Sequence, residues 1–417
     1  MKSKVSIVIF LTLIFVTCAV GGIADDYDWP QWRGPNGDGI SMETDWNPEA
    51  LAGGPKILWK VNVGMGYSNV AIRDNRFYAI GVRENRKENV VSCLNANNGK
   101  LIWQYAFETS QNMKWPHSTP TTDGKYVYAL SVEGLLLCIK AKRGKLEWVK
   151  NLVMDYKVEE IPYGYSGSPV IEGDLIILNV NTAGIALDKE TGDLVWASPV
   201  HVPTDKVCPD GYHATPVIYD YEGKRCALFF SGTGVYSVEA ETGKQLWYFE
   251  FITHGEQAAD PIPFEQKVFL SVGYTLARCA LLEITGNEPR VVWENENMRN
   301  KFSSSLYIDG NLYGSDGDQG TVAPIRCIDV KTGDVMWEKK MRMATLIAAD
   351  GKLIILDEEG NLHIAEATPS SYQEISSCDV IEDEEKPRQF WTPPVLCNGK
   401  IYCRNLAGDL ICIDVSK

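Results

Sequence analysis

One short pattern recurs along this chain and leaves few folds open to it: an apolar strand end, a turn containing Gly, and a Trp four residues after that Gly. It is plainest in Ala186–Trp196 (ALDKETGDLVW), and it returns at Leu94–Trp103, Ile139–Trp148, Val238–Trp247 and Ile328–Trp337, with a stretched copy at Leu282–Trp293. The glycine supplies the positive φ of a tight hairpin. Trp59, Trp103, Trp148, Trp196, Trp247, Trp293 and Trp337 stand 44 to 51 residues apart, a period that suits four short strands per unit. Between them lie β-branched and aromatic runs such as RFYAI at 76–80 and YVYAL at 126–130, bounded by Gly, Asp and Asn, and no segment keeps a long helical period. The expectation is an all-β propeller of four-stranded antiparallel blades.

The chain ends set the number of blades. Residues 409–416 (DLICIDVS) are the strand of the repeat with no turn or Trp after it, whereas 55–61 (PKILWKV) is a Trp strand with nothing before it. Each supplies what the other lacks, so one blade is expected to draw on both termini and leave no open sheet edge. A degenerate blade seven, with Tyr372 in the Trp position, brings the count to eight. The expected organisation is a signal peptide at 1–24, an N-terminal extension at 25–54 and one propeller at 55–417.

The signal reading rests on Lys2 and Lys4 before an apolar run at 5–20 and on small residues up to Ala24, with lipidation at Cys18 as the rival. Either way the expected location is the periplasm or cell envelope. A net charge of −15 argues against nucleic acid as a partner. Cys93, Cys138, Cys327 and Cys412 share one repeat slot and read as small buried fillers. Cys403 and Cys412 fall opposite each other if Ala407–Gly408 is the hairpin turn, which leaves a disulfide open in an oxidising compartment. The repeated Trp residues read as cement between blades, since each buries about 150 to 250 Å².

With the repeat in place, the chain resembles the quinoprotein dehydrogenase-like propellers, the superfamily of pyrroloquinoline quinone (PQQ) alcohol dehydrogenases and of the BamB lipoprotein. DWPQWRGPNGDGIS at 28–41, GYSGSPV at 164–170, FSSSLYIDGNLYGSD at 302–316 and KIYCRNLAGDLICIDVS at 400–416 resemble exported PQQ-like repeat proteins, often labelled BamB-like or polyvinyl-alcohol-dehydrogenase-like. The resemblance implies the fold more narrowly than the function. In the cofactor-bearing members it implies an adjacent-Cys disulfide, a Glu/Asn/Asp set for calcium and a catalytic Asp. This sequence has no adjacent Cys pair, and no cofactor is expected.

A site is expected where the innermost strands begin, because eight loops converge there. Those starts read as Tyr67-Ser68, His117-Ser118, Ser166-Gly167, His213-Ala214, Ala258-Ala259, Ser303-Ser304, Met343-Ala344 and Trp391-Thr392. The long connections into blades two, three and four add Trp115, Tyr156, Tyr163, Tyr165, His201 and Tyr212. Tyr67, His117, Tyr165, His213 and Trp391 are therefore the candidate ligand residues, for a carbohydrate, peptide or small polar ligand; packing of the rim is the plainer reading of the same rings. Asp316 and Asp318 form a weak metal candidate without the spacing of a calcium loop. No catalytic residue is assigned. Two functions stay open: an envelope scaffold that binds a ligand or protein partners, BamB-like, and a PQQ- and calcium-dependent alcohol dehydrogenase.

Overall fold

The computed structural model describes residues 27–83, 87–108, 115–158, 163–180, 183–198, 213–252, 258–274, 276–381 and 389–417. The expected signal peptide lies outside them. Eight sheets follow one another round a ring. Blade 1 consists of Ala71–Arg73, Arg76–Val82, Glu88–Asn95 and Leu101–Glu108. Blades 2 to 6 repeat that antiparallel order from Thr121–Thr122 through Val335–Lys339. The first strands of neighbouring blades touch and line the axis. The middle strands are buried throughout, as in Tyr126–Leu130, because blades press on both of their faces.

Blade 8 closes the ring as the sequence suggests. Ile57–Asn62 runs antiparallel to Asp409–Asp414, with Trp59 opposite Cys412, and Val395–Leu396 and Lys400–Arg404 complete the sheet.

Five of the seven repeat indoles hydrogen-bond to the next blade; the Nε1 atoms of Trp148 and Trp247 find no acceptor among the described residues. The Nε1–H of Trp103 donates to the Ala141 carbonyl (2.8 Å) and that of Trp196 to the Ala240 carbonyl (2.9 Å). Trp59, Trp293 and Trp337 donate in the same way to Ala96, Val330 and Thr368. The repeat glycine then lies flat on the indole. Gly144 has φ +66° and a Cβ there would stand 2.6 Å from the Trp103 ring, so this position excludes every other residue on two independent grounds. Gly99, Gly192, Gly243 and Gly333 meet Trp59, Trp148, Trp196 and Trp293 alike.

Blade 7 departs from the sequence reading. Counting register from the bulge that precedes each Trp, its docking position is Ser376, opposite Ile364. Tyr372 lies one turn earlier and packs edge-on against Trp337 of blade 6, 5.8 Å between centroids, filling the place that glycine takes elsewhere. The disulfide that the sequence left open does not form. The hairpin pairs Tyr402 with Cys412 and Cys403 with Ile411, so the two thiols point to opposite faces, and both are free.

The N-terminal segment is the feature without a counterpart in the repeat. Trp29 pairs with Ile72 in blade 1, and the Pro30 carbonyl accepts from Thr122 N–H of blade 2. Trp32 donates to Asp260 of blade 5 at 2.7 Å, and Arg33 to the Ser305 carbonyl of blade 6 at 3.0 Å. Ile40–Ser41 then adds a parallel strand to Ala344–Ala349 of blade 7, and Trp46 bridges to Ser416. Residues 29–41 thus cross the axis as a strap.

Candidate functional site

Around the axis, just before the inner strands, backbone N–H groups donate to side chains of the following blade. Asn69 donates to Thr119 Oγ1 (3.0 Å), Thr119 to Ser168 Oγ (2.9 Å) and Ser168 to Thr215 Oγ1 (3.0 Å). Thr215 donates to Asp260 Oδ1 (2.7 Å) and Asp260 to Ser304 Oγ (2.8 Å). These contacts form a belt. Apart from Ser304, its links are the residues one after the small ones that the sequence places beside the axis, and they satisfy buried N–H groups that no strand partner reaches.

Above the belt lies a cavity of about 490 Å³, lined by Trp32, Tyr67, Trp115, His117, Tyr163, Ser166, His213, Ala258, Tyr274, Lys301, Phe302, Gln319, Trp391 and Thr392. Trp32 closes it from the strap, and a second cavity of about 330 Å³ borders the same indole with Gln31, Pro35 and Gly37. Of the five candidate ligand residues, Tyr67, His117, His213 and Trp391 come together here. Tyr165 does not: it is buried, its ring packed over Gly134. Trp115 and Tyr163 join the wall, whereas Tyr156 turns away and donates to the Gly192 carbonyl (2.5 Å). His201 and Tyr212 lie outside the described residues.

The rings form one stack. Tyr67 lies between His117 and Trp391, 5.2 Å from each at interplanar angles of 14° and 7°, and Trp391 stacks in turn on Phe302 at 5.3 Å. In blade 6 the cavity residue is thus Phe302, one before the Ser303-Ser304 start read from sequence. Ser166 joins the histidines: its Oγ is 3.1 Å from His117 Nδ1 and 2.7 Å from His213 Nδ1.

Trp32, Tyr274, Lys301, Phe302 and Gln319 escaped the sequence reading. The Phe302 shift alone had a signal, since a run of three serines follows it and leaves the register open. Lys301 Nζ sits 2.7 Å from Asp318 and over the Tyr274 ring. Asp316 is gripped by Arg299 (2.9 Å) and Arg326 (2.7 Å), and the carboxylate in turn raises the Arg299 pKa. Both members of the weak metal candidate are thus held by cations.

Three buried charged side chains stand beside the cavity. Burial pushes the Asp260 carboxyl above its usual range and the Arg33 guanidinium below its own, against their mutual attraction at 3.9 Å. Arg404, fully buried, donates to the Ser68, Gly64 and Ile80 carbonyls and to Ser68 Oγ. Burial lowers its pKa to about 9, so it remains charged at neutral pH.

Calcium takes six to eight oxygen ligands, carboxylates among them. Among the described residues no three His, Cys, Asp or Glu side chains converge, and none of the cavity residues carries a carboxylate. The described residues do not fit a calcium-held quinone.

A family profile described as outer membrane protein assembly factor BamB matches residues 87–339 and 231–417. Tetrathionate hydrolase of Acidithiobacillus ferrooxidans is 26% identical over 208 residues, covering 46% of this chain and 38% of that protein; the match spans well under half of that relative. Among solved structures, BamB from Moraxella catarrhalis superposes with a TM-score of 0.61 at 15% identity, covering 86% of this chain and 99% of that one. Quinohemoprotein alcohol dehydrogenase from Comamonas testosteroni gives 0.66 at 11% identity, covering 93% and 80%. At such identities the two structures show a shared fold.

Proposed function

The chain belongs to the propeller family described as outer membrane protein assembly factor BamB, and we propose that it works as an exported, non-enzymatic binding scaffold of the cell envelope whose ligand site is the cavity at the channel mouth. One observation carries this reading. The convergence of loops has produced a walled cavity of about 490 Å³, closed by Trp32 and lined mainly by rings with a few polar groups, the composition of a small-molecule site. A surface that served only to pack the rim would have no reason to keep this volume open.

The dehydrogenase reading draws on the likeness to the Comamonas testosteroni enzyme, but the donor set speaks against it. The two readings separate in solution. The mature protein is incubated with PQQ and calcium, then desalted and assayed for alcohol-dependent dye reduction. Retained quinone absorbance together with turnover overturns the scaffold reading, and absence of both removes the enzyme. Export is checked by the mature N-terminus, expected at Asp25, in protein recovered from the envelope fraction.

A further inference from the structure

We infer that the channel-mouth cavity selects an anionic ligand, a small organic molecule bearing a carboxylate or sulfonate, over a neutral or cationic one. The inference rests on the reading of that cavity as a ligand site.

Charge is the first argument. The chain carries 55 acidic against 40 basic side chains, yet among the described residues the cavity wall holds a lysine and two histidines and no Asp or Glu. Among the described residues the lining thus departs from the acidic bias of the chain.

Ring geometry is the second. Tyr67 is covered on both faces, by His117 and Trp391, and Trp391 lies between Tyr67 and Phe302. Those faces are spent on one another, so Tyr67 and Trp391 present their edges, whereas Tyr274 and Phe302 hold the Lys301 ammonium over their faces. An aromatic edge is the positive part of the ring quadrupole, and it is complementary to an electron-rich group.

Proton accounting at Ser166 is the third. One hydroxyl proton sits between two Nδ1 atoms at 3.1 and 2.7 Å. Ser166 can donate to only one of them, so the other imidazole donates to Ser166. With both rings neutral, the one that donates through Nδ1 keeps a bare Nε2 while the other carries its N–H at Nε2, so the pair holds one N–H and one acceptor and the tautomer of one ring sets that of the other.

The last argument is the charge behind the wall. Among the described residues no ion pair joins Arg404, whose guanidinium meets only carbonyls and a hydroxyl. It lies against the segment holding Tyr67, and its own carbonyl accepts from Thr392 of the wall (3.1 Å). An unneutralised charge in a low-dielectric interior acts over a longer range than one in water. Lys301 adds a second cation at the lip, partly offset by Asp318 outside the lining.

The test uses three probes of one shape: 2-naphthoate, 2-naphthamide and 2-naphthylmethylammonium, titrated into the mature protein and followed by tryptophan fluorescence. Naphthoate is expected to bind about tenfold tighter than the amide, with the ammonium weakest. Lys301→Met and His213→Gln, checked for unchanged melting temperature, are each expected to narrow the naphthoate-to-amide ratio. Amide or ammonium binding as tight as naphthoate overturns the inference and leaves the ligand site standing. Failure of all three to bind at millimolar concentration overturns the ligand site itself.

Discussion

The backbone N–H of Thr215 donates to the carboxylate of Asp260 at 2.7 Å, in the one belt slot where a carboxylate replaces a hydroxyl or an amide. The other oxygen of Asp260 takes the indole N–H of Trp32 and the Ser304 hydroxyl, so a single side chain couples the belt to the strap.

Separating those two jobs gives the first prediction. Asp260→Ser keeps an oxygen for Thr215 but abandons Trp32 and leaves buried Arg33 with Asp38 as its remaining carboxylate neighbour. The expected cost is about 3 kcal/mol, read as a lower urea midpoint, with earlier proteolysis within residues 29–41. Asp260→Ala is expected to lose about 1 kcal/mol more through the orphaned Thr215 N–H. A Ser variant as stable as the parent would show that the strap does not depend on this contact.

Acid should weaken the seam in blade 8. Lys56 Nζ lies 2.6 Å from Asp414, and this contact, with the Ser416 hydroxyl and N–H, lowers the Asp414 pKa to about 2. The depressed folded value means that the contribution is present above the ordinary aspartate range, near pH 4, and is lost as pH falls toward 2. Thermal melts of the parent and Asp414→Asn should therefore differ at pH 6 and converge toward pH 2. A gap that stays constant across that window would refute the assignment.

Two hairpin glycines, one docked on an indole and one not, offer a controlled pair. Gly286→Ala has no neighbour within 4 Å and meets only the strain of φ +57°, for about 1 kcal/mol. Gly144→Ala adds a clash with Trp103 and should cost at least about 2 kcal/mol. Equal costs would mean that the indole yields freely and that glycine is there for the turn alone.

The ring, its eight blades and the shared last blade were legible because Gly and Trp mark five of the eight junctions twice, once in each blade. Errors arose where the marking fails. Tyr372 is an aromatic near the right spacing, but the bulge beside Ala365 shifts the docking position to Ser376. Cys403 and Cys412 depended on turn length: Asn405 pairs with Asp409, leaving three residues in the loop instead of two, and one step inverts the side chain. Tyr67, His117, His213 and Trp391 were legible as neighbours since each opens an inner strand. Trp32 was not, because no periodicity tells a strap that it crosses an axis.

The strap also dictates an order of assembly. Residues 29–46 find their partners in blades 1, 2, 5, 6, 7 and 8, so the part of the chain synthesised early has no place to rest until synthesis is nearly finished. Contacts between residues this distant in sequence make for slow folding, and the unpaired 57–62 strand is an exposed edge throughout the wait. Such a chain needs protection on the way to its ring, and that need comes from topology, however stable the finished ring is.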